Sequence, residues 1–244
     1  MSALETINFT RGVPANESFP TADLSDSATA VLKQSPEAVL QYGPAAGLAQ
    51  LRGWLAEWQG VKQEEVLTGN GSLELVEFLC TAFIKPGDVV FTESPSYDRA
   101  LTLFRRHGAN IIGVPLQADG PDIDALAKLL TQHKPKLFYI IPDFQNPSGA
   151  TCSATKRRQI VELAEKHDLL LLEDAPYRML RYRGTQEPTL YSIAPHRTLH
   201  MSSFTKLIAP ASASGSCWVT RQRWQRSARS PRTPISRRAT SHMA

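Results

Sequence analysis

The chain has 244 residues, 42% of them hydrophobic, enough for one large α/β domain with a substantial core and with no apolar run long enough to span a bilayer. Its formal net charge of +4 invites a nucleic-acid partner, but residues 211–244 hold seven arginines and no Asp, Glu or Lys. The remaining 20 basic and 23 acidic side chains give residues 1–210 a net charge of −3, which argues against nucleic acid as a partner of everything before the tail.

In chain order, MSALETINFTRG lacks the basic-then-apolar layout of a secretory signal, and residues 1–35, with RGVPANESFP rich in turn formers, read as an extended arm. GLAQLRGWLAEWQG carries Leu48, Leu51, Leu55 and Trp58 at helical spacing. EEVLTGNGSLELVEFLCTAFI then reads as a short strand, a Gly-rich turn and a helix. PGDVVFTESPSYDRALTLFRRHG and ANIIGVPLQADGPDIDALAKLLTQHK repeat that logic. KLFYIIPDFQNPSG and DLLLLEDAPY are β-rich apolar runs that bracket the helix SATKRRQIVELAEKHD, with Ser153 as its expected cap. Strands that alternate with helices and run apolar without interruption imply a largely parallel sheet buried on both faces. Ligand sites in such sheets lie at the carboxyl ends of the strands. The three cysteines, Cys80, Cys152 and Cys217, have no metal-ligand spacing and no disulfide framework, so a cytoplasmic protein without a metal site is expected.

The chemistry-bearing motifs all fall at strand ends. TGNGSLE sets two glycines and Ser72 directly before a helix, where first-turn N–H groups and a hydroxyl suit a phosphate; a plain capped turn is the bland alternative. FTESPSYDRA presents Tyr97 after a proline turn, placed to stack on a planar ligand or simply to pack. PDFQNPSG puts the Asn146 amide in a proline-bounded loop, as a donor to a ligand oxygen or as a turn residue. LLLLEDAPY drives a strand into Asp174, a carboxylate that needs a cationic or N–H partner, which could be a protonated pyridine nitrogen, a helix end or an arginine. Tyr177 follows three residues later. HMSSFTK ends on Lys206, three residues after Ser203; an amine there becomes a Schiff-base nucleophile if its pKa is lowered and a carbonyl is held nearby. Each motif alone is more often structural. Their order is what points to one site.

Residues from about 7 to 210 resemble the class I/II, fold-type-I aminotransferases that use pyridoxal 5′-phosphate, carried by QYGPAAGLAQLR, ESPSY, PDFQNPSG, EDAPY and SSFTK in order and spacing. Within that family the chain is most similar to the branch with 2-aminoadipate, kynurenine and multisubstrate aminotransferases, whose domain also occurs inside MocR-type regulators. The resemblance implies an α/β fold of type I, with a mostly parallel, seven-stranded sheet flanked by helices. It also implies roles. Lys206 would form a Schiff base with the cofactor and shuttle the proton between the amino acid's α-carbon and the cofactor's C4′. Asp174 would keep the pyridine nitrogen protonated, Asn146 and Tyr177 would hydrogen-bond the phenolic oxygen, and Tyr97 would stack on the ring. Gly71, Ser72 and Ser203 would bind the phosphate. Leu73 stands where the family usually has a polar residue, and would contribute its backbone N–H. Tyr42 would reach across a homodimer interface to the neighbour's cofactor, and Gly12 would border the substrate pocket beside Tyr42 and Asn146. The implied partners are an α-amino acid and a 2-oxo acid.

After Pro210 the family pattern stops. The chain reads APASASGSCW where the resemblance leads one to expect a stretch like APGLRVGW, whose arginine binds the phosphate, and Ala213 takes that arginine's place. Residues 211–244 are rich in serine and arginine with no periodic apolar pattern, so they are expected to be disordered, the large domain incomplete and the small C-terminal domain absent. Codons for Ala-Ser-Ala-Ser-Gly, read one base earlier, can encode Gly-Leu-Arg-Val-Gly, so a one-base frameshift at about Pro210 is expected, and resequencing decides it. A genuine basic tail is the alternative. On this expectation the 244-residue chain is a poor catalyst. Two other readings stay open from sequence: a different fold-type-I reaction such as decarboxylation or elimination, or the effector domain of a MocR-type regulator. The latter needs a winged helix-turn-helix ahead of the domain, which the short stretch before RGVP is not expected to hold.

Overall fold

A computed structural model describes residues 14–212 and 215–218. The elements are helices α1 (Thr21–Gln34), α2 (Pro36–Leu40) and α3 (Ala49–Gln59), then strand β1 (Val66–Gly69), α4 (Ser72–Phe83), β2 (Val89–Ser94) and α5 (Asp98–Arg106). They continue with β3 (Asn110–Gln117), β4 (Gly120–Pro121), α6 (Ile123–Gln132), β5 (Leu137–Ile140), α7 (Ala154–Lys166), β6 (Leu170–Asp174), α8 (Leu190–Ile193), β7 (Thr198–Ser203) and β8 (Gly215–Trp218). The strands form one sheet in the order β1-β8-β7-β6-β5-β2-β3-β4. Its centre, β7-β6-β5-β2-β3, is parallel throughout; β8 runs antiparallel to both its neighbours, and the two-residue β4 folds back on β3. Without that short β4 hairpin, the sheet has the seven strands that the resemblance implies.

Side chains that alternate along each strand divide the core in two. On one face Leu137, Tyr139, Leu170, Leu172, Leu199 and Met201 pack against Leu75, Val76 and Leu79 of α4 and Ala100 and Phe104 of α5. On the other, Phe138, Ile140 and Leu171 pack against Leu126 and Leu130 of α6, Ile160 and Ala164 of α7, and Leu190 of α8. This two-sided burial explains why LFYI and LLLED show no polar alternation. Ser153 caps α7 as expected, its hydroxyl accepting from the Lys156 N–H.

Two sequence expectations change. Residues 1–35 are not an irregular arm over their described part, because Thr21–Gln34 is a 14-residue helix. Its Leu24, Ala28, Val31 and Leu32 recur at helical spacing, a signal outweighed in the reading by the preceding turn formers. None of its residues is buried in this chain. The sheet also does not end at Pro210. Gly215–Trp218 pair with Val66–Gly69 on one side and His200–Ser203 on the other, filling the gap between β1 and β7. The backbone of a strand pairs whatever its side chains, so the absence of a periodic apolar pattern did not reveal it.

Candidate active site

The site is assembled at the carboxyl ends of β1, β2, β5, β6 and β7. At the first of these, Gly69-Asn-Gly-Ser72 must turn sharply from strand into helix. A Cβ on Gly69 would come within 2.8 Å of Glu74 Oε2 and 2.9 Å of the Leu75 side chain, and Gly71 has φ of +91°, a region that favours glycine. The Asn70 N–H donates to Glu74 Oε2 at 2.5 Å, which fixes the turn on α4. Ser72 and Leu73 then begin the helix, with first-turn N–H groups directed out of its end. In the sheet register Gly69 is opposite Gly215, and Gly215 is opposite Ser203. The Ser72 turn and Ser203 therefore start two strand spacings apart, about 10 Å.

Asp174 is the last residue of β6 and only 4% exposed. Its side chain shares a face with Leu172 and Met201, towards α4 and α5. Ser203, two residues beyond Met201, lies on the same face. The Tyr139 hydroxyl donates to Asp174 Oδ2 at 2.7 Å, whereas Oδ1 is buried and has no hydrogen-bond partner among the described residues. Burial pushes the Asp174 carboxyl up to about 6, against the opposing pull of Tyr139 and of the His200 charge. Tyr97 and Tyr177 pack against the same apolar cluster. Both phenols are shifted upwards, first by burial; next for Tyr97 by Tyr177, and for both in part by Asp174. The Asn146 amide donates to the Tyr177 hydroxyl at 3.4 Å. Asn146, Tyr177, Tyr97 and Asp174 are thus neighbours at one end of the sheet.

The loop that carries Asn146 is held from behind. Arg157, fully buried on α7, donates to Asp143 Oδ1 at 3.0 Å and to the carbonyls of Pro142 at 2.8 Å, Cys152 at 2.9 Å and Pro188 at 3.1 Å. Arg178 and Arg181 reach the same Asp143 carboxylate at 3.2 and 3.3 Å. Gln145 donates to the Pro95 carbonyl at 2.9 Å and to Glu93 Oε2 at 3.3 Å, and accepts from the Ser148 N–H at 2.8 Å. Glu93 also accepts from the Ile141 N–H at 3.0 Å, and burial pushes its carboxyl up to about 8. None of Tyr139, Glu93, Asp143 and Arg157 stood out in the sequence. The one available signal was a tyrosine inside a fully buried strand, since a buried phenol needs a polar partner.

Lys206 is half-buried in the 3₁₀ turn Phe204–Lys206 that leaves β7. That turn is anchored by Phe204, whose ring stacks on Trp58 at 6.5 Å and lies 6.3 Å from Trp54. The Ser203 hydroxyl accepts from the Thr205 N–H at 3.1 Å and donates to Thr205 Oγ1 at 2.8 Å. Tyr42 stands apart from the cluster with its side chain 96% exposed. Gly12 and Ala213 lie outside the described residues. Among the described residues no group of His, Cys, Asp and Glu could hold a metal ion, and no helix is long and apolar enough to cross a membrane.

The sequence profile described as "Aminotransferase class I and II" matches residues 5–229. The chain belongs to that family. A 2-aminoadipate transaminase of Thermus thermophilus is 35% identical over 208 residues, covering 84% of this chain and 52% of the relative. An aromatic-amino-acid aminotransferase of Thermococcus litoralis is 32% identical over 227 residues, covering 88% and 54%. The crystal structure of the Thermus thermophilus α-aminoadipate aminotransferase, complexed with N-(5′-phosphopyridoxyl)-L-leucine, superposes with a TM-score of 0.86 at 31% identity. That match covers 96% of this chain and 62% of that one. The chain spans about half the length of the curated relatives it matches. Its fold is that of the fold-type-I aminotransferases, and the family match runs past Pro210, as the sheet does.

Proposed function

We propose that this chain binds pyridoxal 5′-phosphate and moves an amino group between an α-amino acid and a 2-oxo acid. The observation that carries the reading is Asp174: a buried carboxylate at a strand end, held by one phenol, with its second oxygen buried and unpartnered. A buried carboxylate oxygen without a donor is costly, and a protonated pyridine nitrogen is a donor of matching charge. The surrounding residues fit such a ring. Tyr97 and Tyr177 offer aromatic surface and a phenol beside it, and Asn146 offers an amide. The Gly69–Ser72 turn and the start of α4 offer backbone N–H donors to a phosphate, and Ser203, on β7 beside β6, would join them by turning its hydroxyl from Thr205.

Bound there, pyridoxal phosphate supplies an electron sink for the electrons left at the substrate's α-carbon. The chain's own contributions follow from its residues. Asp174 would hold a proton on the ring nitrogen, Asn146 and Tyr177 would bind the ring oxygen, and Tyr97 would cover the ring. The Lys206 amine would anchor the cofactor and carry the proton to and from the α-carbon. Leu73 would contribute its backbone N–H to the phosphate, and a role for Gly12 beside the substrate rests on the family resemblance alone. Tyr42, exposed at 96%, is available to a second copy, so a homodimer belongs to the reading. A cytoplasmic location does too, supported by two buried, unpaired thiols, Cys80 and Cys152.

The test is covalent capture. The chain is incubated with pyridoxal phosphate, reduced with borohydride and digested, and the modified lysine is mapped. The reading expects the adduct on Lys206 and its loss in Lys206→Ala; an adduct mapped to another lysine removes the central assignment.

A further inference from the structure

We infer that Tyr139 is a positioning residue for the pyridine nitrogen: its hydroxyl locks one oxygen of Asp174 so that the other faces the ligand. The inference rests on the cofactor reading of the site and goes beyond it, to a fully buried residue that touches Asp174. A carboxylate turns about its Cβ–Cγ bond and so exchanges its two oxygens. Here Tyr139 Oη holds Oδ2 at 2.7 Å, which leaves Oδ1 as the carboxylate oxygen without a donor among the described residues. Tyr139 cannot drift to follow a turning carboxylate. It is fully buried on β5, between Thr92 of β2 and Leu172 of β6 in the register, with the Phe104 ring in a T-shaped contact, centroids 5.6 Å apart.

The chemistry of the donor matters as much as its position. An arginine or lysine at this point would neutralise Asp174 and compete with a pyridinium. A phenol supports the negative charge without cancelling it. The other charged or titratable groups nearby do not replace it. His200 lies on the opposite face of the sheet, its Nδ1 2.8 Å from Glu173. Glu93 is engaged with Ile141 and Gln145, and Tyr177 with Asn146. Burial and the neighbouring Asp174 charge hold the Tyr139 phenol well above its ordinary range, so it remains a donor. The bland alternative is that Tyr139 is a core residue that merely satisfies its own hydroxyl. The two roles separate by experiment.

Binding of pyridoxal phosphate is compared with binding of its 1-deaza analogue, in which a C–H replaces the ring nitrogen. The proteins are the 244-residue chain, Tyr139→Phe and Phe104→Leu. Tyr139→Phe keeps the ring and its packing, so the fold is expected to survive; Phe104→Leu disturbs the packing but leaves the hydrogen bond. Tyr139→Phe should bind pyridoxal phosphate about tenfold more weakly, as expected for losing a hydrogen bond to a charged group, yet bind the deaza analogue like the parent. Phe104→Leu should weaken both ligands alike. Equal losses for both ligands in Tyr139→Phe would overturn the inference and leave the cofactor reading standing. No capture of pyridoxal phosphate by the unsubstituted chain would overturn both.

Discussion

Glu173 and Asp174 are neighbours on one strand, point to opposite faces of the sheet, and are both buried, yet they are treated in opposite ways. Glu173 accepts from the Leu190 N–H at 2.9 Å, the Tyr191 N–H at 3.1 Å and His200 Nδ1 at 2.8 Å, with Arg157 at 4.0 Å. Burial alone would raise its carboxyl, but the His200 charge and these hydrogen bonds outweigh burial and hold it below the usual carboxylate range. Among the described residues Asp174 has a single donor and a second oxygen without one, and burial wins. A saturated buried carboxylate is part of the scaffold, since it ties β6 to α8 and β7. An unsaturated one is a cost that a folded chain carries for a ligand.

Substitutions at the two positions should therefore have opposite signatures. Glu173→Ala strips a buried network of its anion and should destabilise the fold by about 3–5 kcal/mol, read in urea unfolding. A similar loss is expected of Arg157→Met, which leaves Asp143 buried without its principal partner. Asp174→Asn should leave the stability of the ligand-free chain unchanged or raise it by about 1 kcal/mol, while weakening retention of pyridoxal phosphate about a hundredfold. A parallel fall in stability would make Asp174 a scaffold residue like its neighbour.

Acid and base should sharpen the same contrast. Asp174 and Glu93 have folded-state pKa values raised to about 6 and about 8, so the folded chain binds more protons than the unfolded one across that range. Their contribution to the stability of the ligand-free chain must fall as pH rises from about 4 to about 8. Glu173, depressed, works the other way: it stabilises above the ordinary carboxylate range and is lost as pH falls through its own lowered value. Unfolding titrations of Asp174→Asn should show a shallower decline between about pH 4 and pH 6, where only the Glu93 share remains, and the parent's slope above it. A profile identical to the parent would mean that Asp174 does not titrate there.

The smallest effects belong to groups that touch the site weakly. The Asn146–Tyr177 contact is long at 3.4 Å, so Tyr177→Phe should cost under about 1 kcal/mol of stability. Tyr42→Ala, at a fully solvated position, should leave unfolding unchanged within about 0.5 kcal/mol. Its effect, if the homodimer reading holds, belongs to the association of two chains, read by sedimentation.

The sequence made much of this legible because the informative residues sit where the chain changes direction. The alternation of apolar runs with helical stripes announced a parallel sheet, and turns rich in Gly and Pro marked the strand ends where Ser72, Tyr97, Asn146, Asp174 and Lys206 stand. What stayed hidden depends on partners distant along the chain. Tyr139 and Asp174 are 35 residues apart, Glu93 and Gln145 52 apart, and only strand order brings them together. Glu173 and Asp174 looked like one acidic pair. Their opposite fates follow from the twofold alternation of a strand, which separates neighbours to different faces. The strand Gly215–Trp218 was hidden for another reason: it is defined by backbone pairing within a segment whose composition reads as a tail.

The unpartnered oxygen of Asp174 is the centre of the proposed function, and the protonation of the ring nitrogen proposed to face it can be observed directly. Pyridoxal phosphate labelled with ¹⁵N in the ring is bound to the parent chain and to Asp174→Asn, and the ring-nitrogen chemical shift is recorded at neutral pH. A protonated nitrogen in the parent and an unprotonated one in the variant is the predicted result. The same shift in both proteins would contradict it.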